Sequence, residues 1–360
     1  MGEFMKKVVF VLIIILTLIG VFVYKDDKVD KMLKEEYTSK YKINDLYNSK
    51  EIAYRSLSSD EAKIYDKIIN EIINFNSKIT INLSKYNYNN PYLNFNKLEE
   101  IIDAISIDHP ELIYFGYPSL NVNGNSNKVN ITIHYVMDEN TYKNSINLIK
   151  DEIDKIKVST KNMDEYEKIK YVYEYLGFKN NYGKINDPMA QSAYSAFDSK
   201  HSPVCAGYAK ASELIFNNIG VTSLLTIGEL KTGLFASGSH AWNIVKIKNK
   251  YYNYDVTQSS GLKKDNNISH MGLLSMKKKN FVILYKNIVP NISYGYDYYK
   301  LNNLEFSTKD LYKLKDNNDK YIELRIKDIT RFKLEFNNIK DELGIKNYRY
   351  NSDIVLLERN

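Results

Sequence analysis

The amino-acid sequence predicts an α+β fold, in which helices and antiparallel strands occupy separate stretches of the chain. The apolar spacing of a helix recurs in three of these stretches, Ile64–Ile73, Leu98–Ile105 and Tyr142–Ile156. Strict alternation over Val129–Tyr135 follows the turn pair Asn123-Gly124, which is typical of an antiparallel hairpin. Two further β-rich runs, His240–Ile247 and Tyr251–Val256, flank a short loop and predict a second hairpin.

The first of the predicted domains covers residues 52–160 and is a small α+β unit. Ser58-Ser59-Asp60-Glu61 has the pattern of a capping box and predicts the start of the first helix. The asparagine- and tyrosine-rich range Asn76–Asn94 is interpreted as irregular. His109-Pro110 predicts the end of the second helix, because proline disfavours helical geometry in the residue before it. Strand-like segments follow at 112–115 and 119–122.

The N-terminus has the pattern of a membrane-targeting segment. Lys6-Lys7 precedes the seventeen apolar residues Val8–Tyr24, with only Thr17 and Gly20 as weak interruptions. No small-residue cleavage pattern follows, so residues 5–24 are interpreted as a retained anchor, with a cleaved signal as the alternative. Residues 25–51 are interpreted as a polar stalk. The rest of the chain is then expected outside the cytoplasm of a bacterial cell, or secreted if the segment is removed.

Composition narrows the classes of function. Lysine and arginine exceed aspartate and glutamate by 50 − 44 = 6 residues. This small excess is spread along the chain and does not form the dense basic patch typical of nucleic-acid binding. One cysteine permits no disulfide framework. His109 and His134 lack the spacing of metal ligands and are interpreted as structural, and neither a metal nor an organic cofactor is expected. Oligomeric state is left open.

The single cysteine, Cys205, is expected in the first turn of a helix. Ser202-Pro203 is a helix-start signal, apolar residues keep helical spacing as far as Ile219, and Gly220 follows as a left-handed terminator. The positive end of a helix favours a thiolate over a thiol. Taken alone, Cys205 equally fits an ordinary buried cysteine.

The second predicted hairpin brings His240 and Asp255 together. A two-residue loop at Lys248-Asn249 places Trp242 opposite Asp255 and His240 opposite Thr257, so all four side chains share one face. His240 and Asp255 are then diagonal neighbours, close enough for an imidazole to bond a carboxylate. A three-residue loop without a bulge would separate them, and each residue alone also fits an ordinary strand position. Cys205, His240 and Asp255 are therefore predicted to be a nucleophile, its base and the group that orients the base.

These motifs resemble a known family. Val204-Cys205-Ala206-Gly207-Tyr208, then His240-Ala241-Trp242-Asn243 and Tyr252-Asn253-Tyr254-Asp255-Val256-Thr257 are similar to the transglutaminase-like core, a Cys-His-Asp branch of the papain-like cysteine enzymes. The resemblance covers residues 164–276. Gln258-Ser259-Ser260 departs from the tryptophan and acidic residues that often follow the aspartate, which bears on the substrate cleft.

The resemblance implies a papain-like core over residues 161–280, in which the Cys205 helix packs on an antiparallel sheet carrying His240 and Asp255. An α+β unit over 281–360 follows it. The implied chemistry is attack of Cys205 on a carboxamide or amide bond of a protein or peptide, which leads to crosslinking, deamidation or proteolysis. The Cys205 N–H would donate a hydrogen bond to the oxyanion, and a side chain in Gln191–Tyr194 is the candidate for a second donor. The alternative is a catalytically silent binding or structural module at the cell surface.

Overall fold

A computed structural model describes residues 28–86, 91–116, 119–122, 128–231, 237–260, 267–274, 281–294 and 297–359. The anchor predicted over residues 5–24 lies outside these ranges. Within them, no helix is both long enough and apolar enough to cross a membrane.

The N-terminal part combines three long helices with a small sheet. The helices are α1 (Ser59–Ile73), α2 (Pro91–Asp108) and α3 (Glu139–Thr160), and the strands are β1 (Lys78–Asn82), β2 (Ser119–Val122) and β3 (Lys128–Thr132). The sheet is antiparallel in the order β1-β3-β2. The capping box at Ser58 is present, since its hydroxyl accepts the Glu61 N–H and the Glu61 carboxylate accepts the Ser58 N–H. The irregular stretch expected at 76–94 is wrong, because β1 and the start of α2 fall within it.

Residues 28–51 pack against the body of the protein and do not form the expected polar stalk. Residues 28–34 are helical. Their apolar side chains are buried together with one further leucine: Val29, Met32, Leu33 and Leu46. Asp30 accepts hydrogen bonds from Lys246 Nζ at 3.0 Å and Tyr251 Oη at 2.5 Å. The apolar positions are too sparse among the lysines for the sequence to indicate a buried face.

The central part carries the predicted helix-on-sheet arrangement. Its helices are α4 (Glu165–Lys179) and α5 (Cys205–Ile219), and its strands are β4 (Ser223–Lys231), β5 (Ser237–Ile247), β6 (Lys250–Tyr254) and β7 (Phe281–Ile283). The antiparallel sheet has the order β6-β5-β4-β7. Lys248 and Asn249 both have positive φ, at 46° and 64°, as a two-residue hairpin turn requires. The register pairs Asn243 with Tyr254, as predicted.

The C-terminal unit follows the central sheet. It contains helices α6 (Tyr298–Leu301) and α7 (Ile329–Ile339) and strands β8 (Glu305–Phe306), β9 (Tyr321–Ile326), β10 (Ile345–Asn351) and β11 (Ile354–Arg359). Its sheet has the order β10-β11-β9-β8. Buried side chains around Phe332 and Phe336 form an apolar cluster separate from the one that runs through the N-terminal and central parts. Apart from the polar stalk, the domain limits drawn from the sequence stay a prediction.

Candidate active site

Helix α5 begins at Cys205 and presents this residue at its N-terminus. Val204 is the cap residue, and its side chain supplies no capping hydrogen bond. The Ser202 cap expected from the sequence is therefore wrong, although Cys205 does lie in the first turn. Gly220 ends the helix in the left-handed conformation, with φ 74°, as predicted. The free N–H groups of the first turn favour negative charge on the sulfur.

Gly207 allows this end of the helix to approach the chain that precedes it. A Cβ at this position would lie 2.4 Å from the Ala190 carbonyl oxygen and 2.9 Å from both Pro203 Cβ and Ser195 Oγ. The Val204 N–H donates to the same Ala190 carbonyl at 2.9 Å. The glycine of the Cys-Ala-Gly-Tyr motif is thus explained by packing that fixes the orientation of the first turn.

The hairpin of β5 and β6 presents the other two residues. His240 Nε2 lies 2.8 Å from Asp255 Oδ2, and both side chains are almost fully buried. The Trp242 ring stacks on His240 with 5.9 Å between centroids and donates from Nε1 to Asn253 Oδ1 at 2.9 Å. The ring of His240 is therefore fixed in position, with Nδ1 as the nitrogen available to the thiol.

The carboxylate of Asp255 is held by two further donors. The Thr257 N–H donates to Oδ1 at 3.1 Å, and Gln258 Nε2 donates to Oδ2 at 3.1 Å. Sequence reasoning did not assign Gln258 a role. The available signal was its position three residues after Asp255, which one turn of the 3-10 helix over Val256–Ser260 brings back to the carboxylate. The departure from the family pattern at Gln258 therefore supports the aspartate directly.

The Cys205 thiol and the His240 imidazole lie close enough for each to shift the pKa of the other. Burial opposes the charged thiolate, but His240 and the Ala241 N–H hold the pKa of Cys205 below its usual value. Burial likewise opposes the imidazolium, whereas the charges of Asp255 and Cys205 raise the pKa of His240 to about 10. Both shifts favour a thiolate–imidazolium pair.

Tyr182 is a fourth side chain at the sulfur. Burial and then the neighbouring Cys205 thiol raise the pKa of Tyr182, which places its phenol close to the sulfur. The loop that carries it is tied to the chain before Cys205, since the Gly183 N–H donates to the Pro203 carbonyl at 2.9 Å. The sequence placed the second oxyanion donor in Gln191–Tyr194, where Ser192 Oγ instead donates to the Ile113 carbonyl at 2.6 Å. Nothing in the pattern around Tyr182 indicates its proximity.

In the described ranges, no group of three or more histidine, cysteine, aspartate or glutamate side chains could hold a metal ion.

Comparison with known families agrees with this arrangement. Residues 155–256 match the model of the transglutaminase-like superfamily. This part of the chain is therefore a transglutaminase-like domain, and the predicted α+β fold, with the Cys205 helix packed on an antiparallel sheet, is confirmed. Members of the superfamily are in general cysteine enzymes, although some are inactive.

Solved structures give more distant similarities. A protein described as a TGase shares 16% identity, with 41% of this chain and 46% of that chain covered at a TM-score of 0.29. A proposed cysteine protease from Cytophaga hutchinsonii shares 10% identity, with 40% of this chain and 62% of that chain covered at a TM-score of 0.25. The chain thus spans less than two thirds of the length of either protein. A search of curated proteins gives no match.

Proposed function

We propose that the chain is a cysteine enzyme that transfers acyl groups from a carboxamide or amide bond of a protein or peptide through a thioester on Cys205. The observation that carries the proposal is the convergence of the three side chains: His240 Nε2 lies 2.8 Å from Asp255 Oδ2, and the same imidazole lowers the pKa of the Cys205 thiol. A buried histidine fixed between a carboxylate and a thiol is the arrangement that activates a cysteine nucleophile.

The proposed reaction has two halves. The Cys205 sulfur attacks the carbonyl carbon, and the resulting tetrahedral oxyanion collapses with cleavage of the C–N bond. His240 gives its proton to the departing nitrogen, which leaves an acyl thioester on the sulfur. The neutral imidazole then takes a proton from water or an amine as that second nucleophile attacks the thioester, and the C–S bond breaks to release the acyl product and restore the Cys205 thiolate beside the imidazolium. Asp255 orients the imidazole and stabilises its charge throughout.

The oxyanion is proposed to receive hydrogen bonds from the Cys205 N–H and the Tyr182 hydroxyl. In the free protein the electrostatic influence of Cys205 on Tyr182 places the phenol near the sulfur. An oxygen that develops negative charge there would accept from both donors.

Replacing Tyr182 with phenylalanine is expected to lower kcat about 100-fold, the usual order for loss of one oxyanion donor. The rate of Cys205 alkylation by iodoacetamide should change little, because that reaction forms no oxyanion and His240 largely sets the thiol pKa. Parallel measurements of turnover and alkylation check this. Equal losses in both would mean that Tyr182 acts on the thiol itself.

The direct test of function is an assay for acyl transfer. The full chain is offered a glutamine-containing protein with a labelled amine, and in parallel a peptide library. Amine incorporation that is absent in Cys205→Ala would identify transfer, and peptide cleavage absent in the same variant would identify proteolysis. Deamidation without label would identify water as the acceptor. A folded wild type that is inactive throughout, with an ordinary unreactive thiol, would support the silent module.

The location outside the cytoplasm is also a proposal, supported by Lys6-Lys7 followed by the apolar run Val8–Tyr24. Protease added to intact cells is expected to digest the body of the protein. Complete protection, lost only after cell lysis, would contradict this location.

A further inference from the structure

Residues 267–274 lie directly behind the turn that carries Asp255. The Asp255 N–H donates to the Gly272 carbonyl at 3.0 Å, and the Ser269 N–H donates to the Ser259 carbonyl at 2.8 Å. A Cβ on Gly272 would lie 1.9 Å from the Asp255 carbonyl oxygen, so the two backbones are in immediate contact. The segment therefore fixes both ends of the turn whose Thr257 and Gln258 hold the Asp255 carboxylate.

The same segment is held from its other side by Glu323 on β9 of the C-terminal unit. Glu323 Oε1 accepts from Ser269 Oγ at 2.8 Å, from the His270 N–H at 2.9 Å and from Tyr299 Oη at 2.7 Å. Its Oε2 lies 2.8 Å from His270 Nδ1. One carboxylate thus binds two consecutive residues of the segment through side chain and backbone.

Helix α4 completes the support. Tyr173 Oη donates to the Ser269 carbonyl at 2.8 Å and accepts the Gly272 N–H at 3.2 Å. His270 Nε2 lies 3.2 Å from Glu174 Oε1, while its ring stacks on Tyr298 at 4.1 Å. Burial opposes protonation of His270, but the carboxylates of Glu174 and Glu323 raise its pKa, and the ring links α4 to β9 through its two nitrogens.

We propose that Glu323 is a positioning residue for the triad, which acts through residues 269–272 on Asp255, and that the C-terminal unit thereby completes the active site. A role of Glu323 in catalysis rests on the proposed function, whereas its role in orienting Asp255 does not. The C-terminal unit has its own apolar cluster. One face of the unit, with Ile354 and Leu356 of β11, joins the main apolar cluster, and Glu323 makes the polar contacts that connect this docked unit to the segment behind Asp255.

The test compares Glu323→Ala with Glu305→Ala in the full chain. Glu305 lies on β8 of the same sheet and pairs with Lys327 at 3.3 Å, so it serves as the matched control. The measured quantity is the pKa of His240, from an NMR titration of its ring. A less ordered Asp255 stabilises the imidazolium less, so Glu323→Ala is expected to lower this pKa by about one pH unit. Glu305→Ala should leave it unchanged.

A double-mutant cycle with Asp255→Asn separates positioning from general support. If Glu323 acts through Asp255, then adding Glu323→Ala to Asp255→Asn should produce little further change. Glu323→Gln, which keeps the acceptor oxygen and loses the charge, provides a milder variant should Glu323→Ala fold poorly, and a smaller decrease of the same sign is expected.

Three results would overturn the proposal. These are an unchanged His240 pKa in a folded Glu323 variant, an equal change in Glu305→Ala, and full additivity with Asp255→Asn. Failure of the proposed function has a different signature. A wild-type Cys205 that alkylates as an ordinary thiol and turns over no substrate would refute the enzyme, while the His240 titration would still decide whether Glu323 positions Asp255.

Discussion

With glutamine in place of His240, Cys205 is expected to react with iodoacetamide at pH 6 about 100-fold more slowly than in the wild type. Less than about 1% of an ordinary thiol is ionised at this pH. His240 is the main group that counteracts burial and lowers the pKa of Cys205. The wild type has more thiolate at this pH than His240→Gln, but its less basic thiolate is also a weaker nucleophile. The ratio of the two rates should therefore be smaller than the ratio of the two ionised fractions.

The pH at which the alkylation rate rises shows the direction in which His240 shifts the pKa of Cys205. Thiolate is present above the lowered pKa of Cys205, and the imidazolium that stabilises it is present below the His240 pKa of about 10. The wild-type rate should therefore rise at a lower pH than that of an ordinary thiol. In His240→Gln the same rise should move to alkaline pH.

His134→Gln is the matched control for this measurement. His134 is exposed on the N-terminal part, where its ring bonds Ser119 Oγ at 2.8 Å. Its replacement should leave the alkylation profile unchanged. Coinciding profiles for the wild type and His240→Gln would show that the imidazole does not ionise the thiol, and the proposed nucleophile would lose its support.

The part of the site that the sequence predicted is the part set by local geometry. The two-residue loop at Lys248-Asn249 fixes the register of the hairpin, and alternation then places His240 beside Asp255. The helix signals around Cys205 likewise follow from neighbouring residues. The pairing of Cys205 with His240 depends on how the helix packs on the sheet; the residue types predicted it, and the resemblance to a family gave the helix-on-sheet arrangement that it requires.

The residues that the sequence did not indicate reach the site from distant parts of the chain. Tyr182 lies in a loop without a pattern, and Glu323 belongs to a strand 68 positions after Asp255 (323 − 255). Their roles depend on tertiary contacts of single side chains, for which periodicity carries no information. The same holds for β1, where five residues pair with a strand that begins 46 positions further along (128 − 82).

Removal of residues 1–51 is expected to prevent stable folding, whereas removal of residues 1–27 should not. Val29, Met32, Leu33 and Leu46 are buried. At roughly 1.5–3 kcal/mol for each buried side chain, these four contribute about 6–12 kcal/mol. This is of the same order as the entire free energy of unfolding of a typical domain, about 5–15 kcal/mol. The longer deletion would also remove Asp30, the ion-pair partner of Lys246 at 3.0 Å.

Urea unfolding of the two truncated proteins measures the difference. The protein that begins at Lys28 should unfold cooperatively, because it keeps all the contacts described for residues 28–51. The protein that begins at Ile52 should lack a native baseline, or unfold at much lower urea. Leu33→Ala in the longer protein provides a graded intermediate, with an expected loss of about 2–5 kcal/mol. Equal midpoints for the two truncations would mean that residues 28–51 behave as the polar linker that their composition suggested.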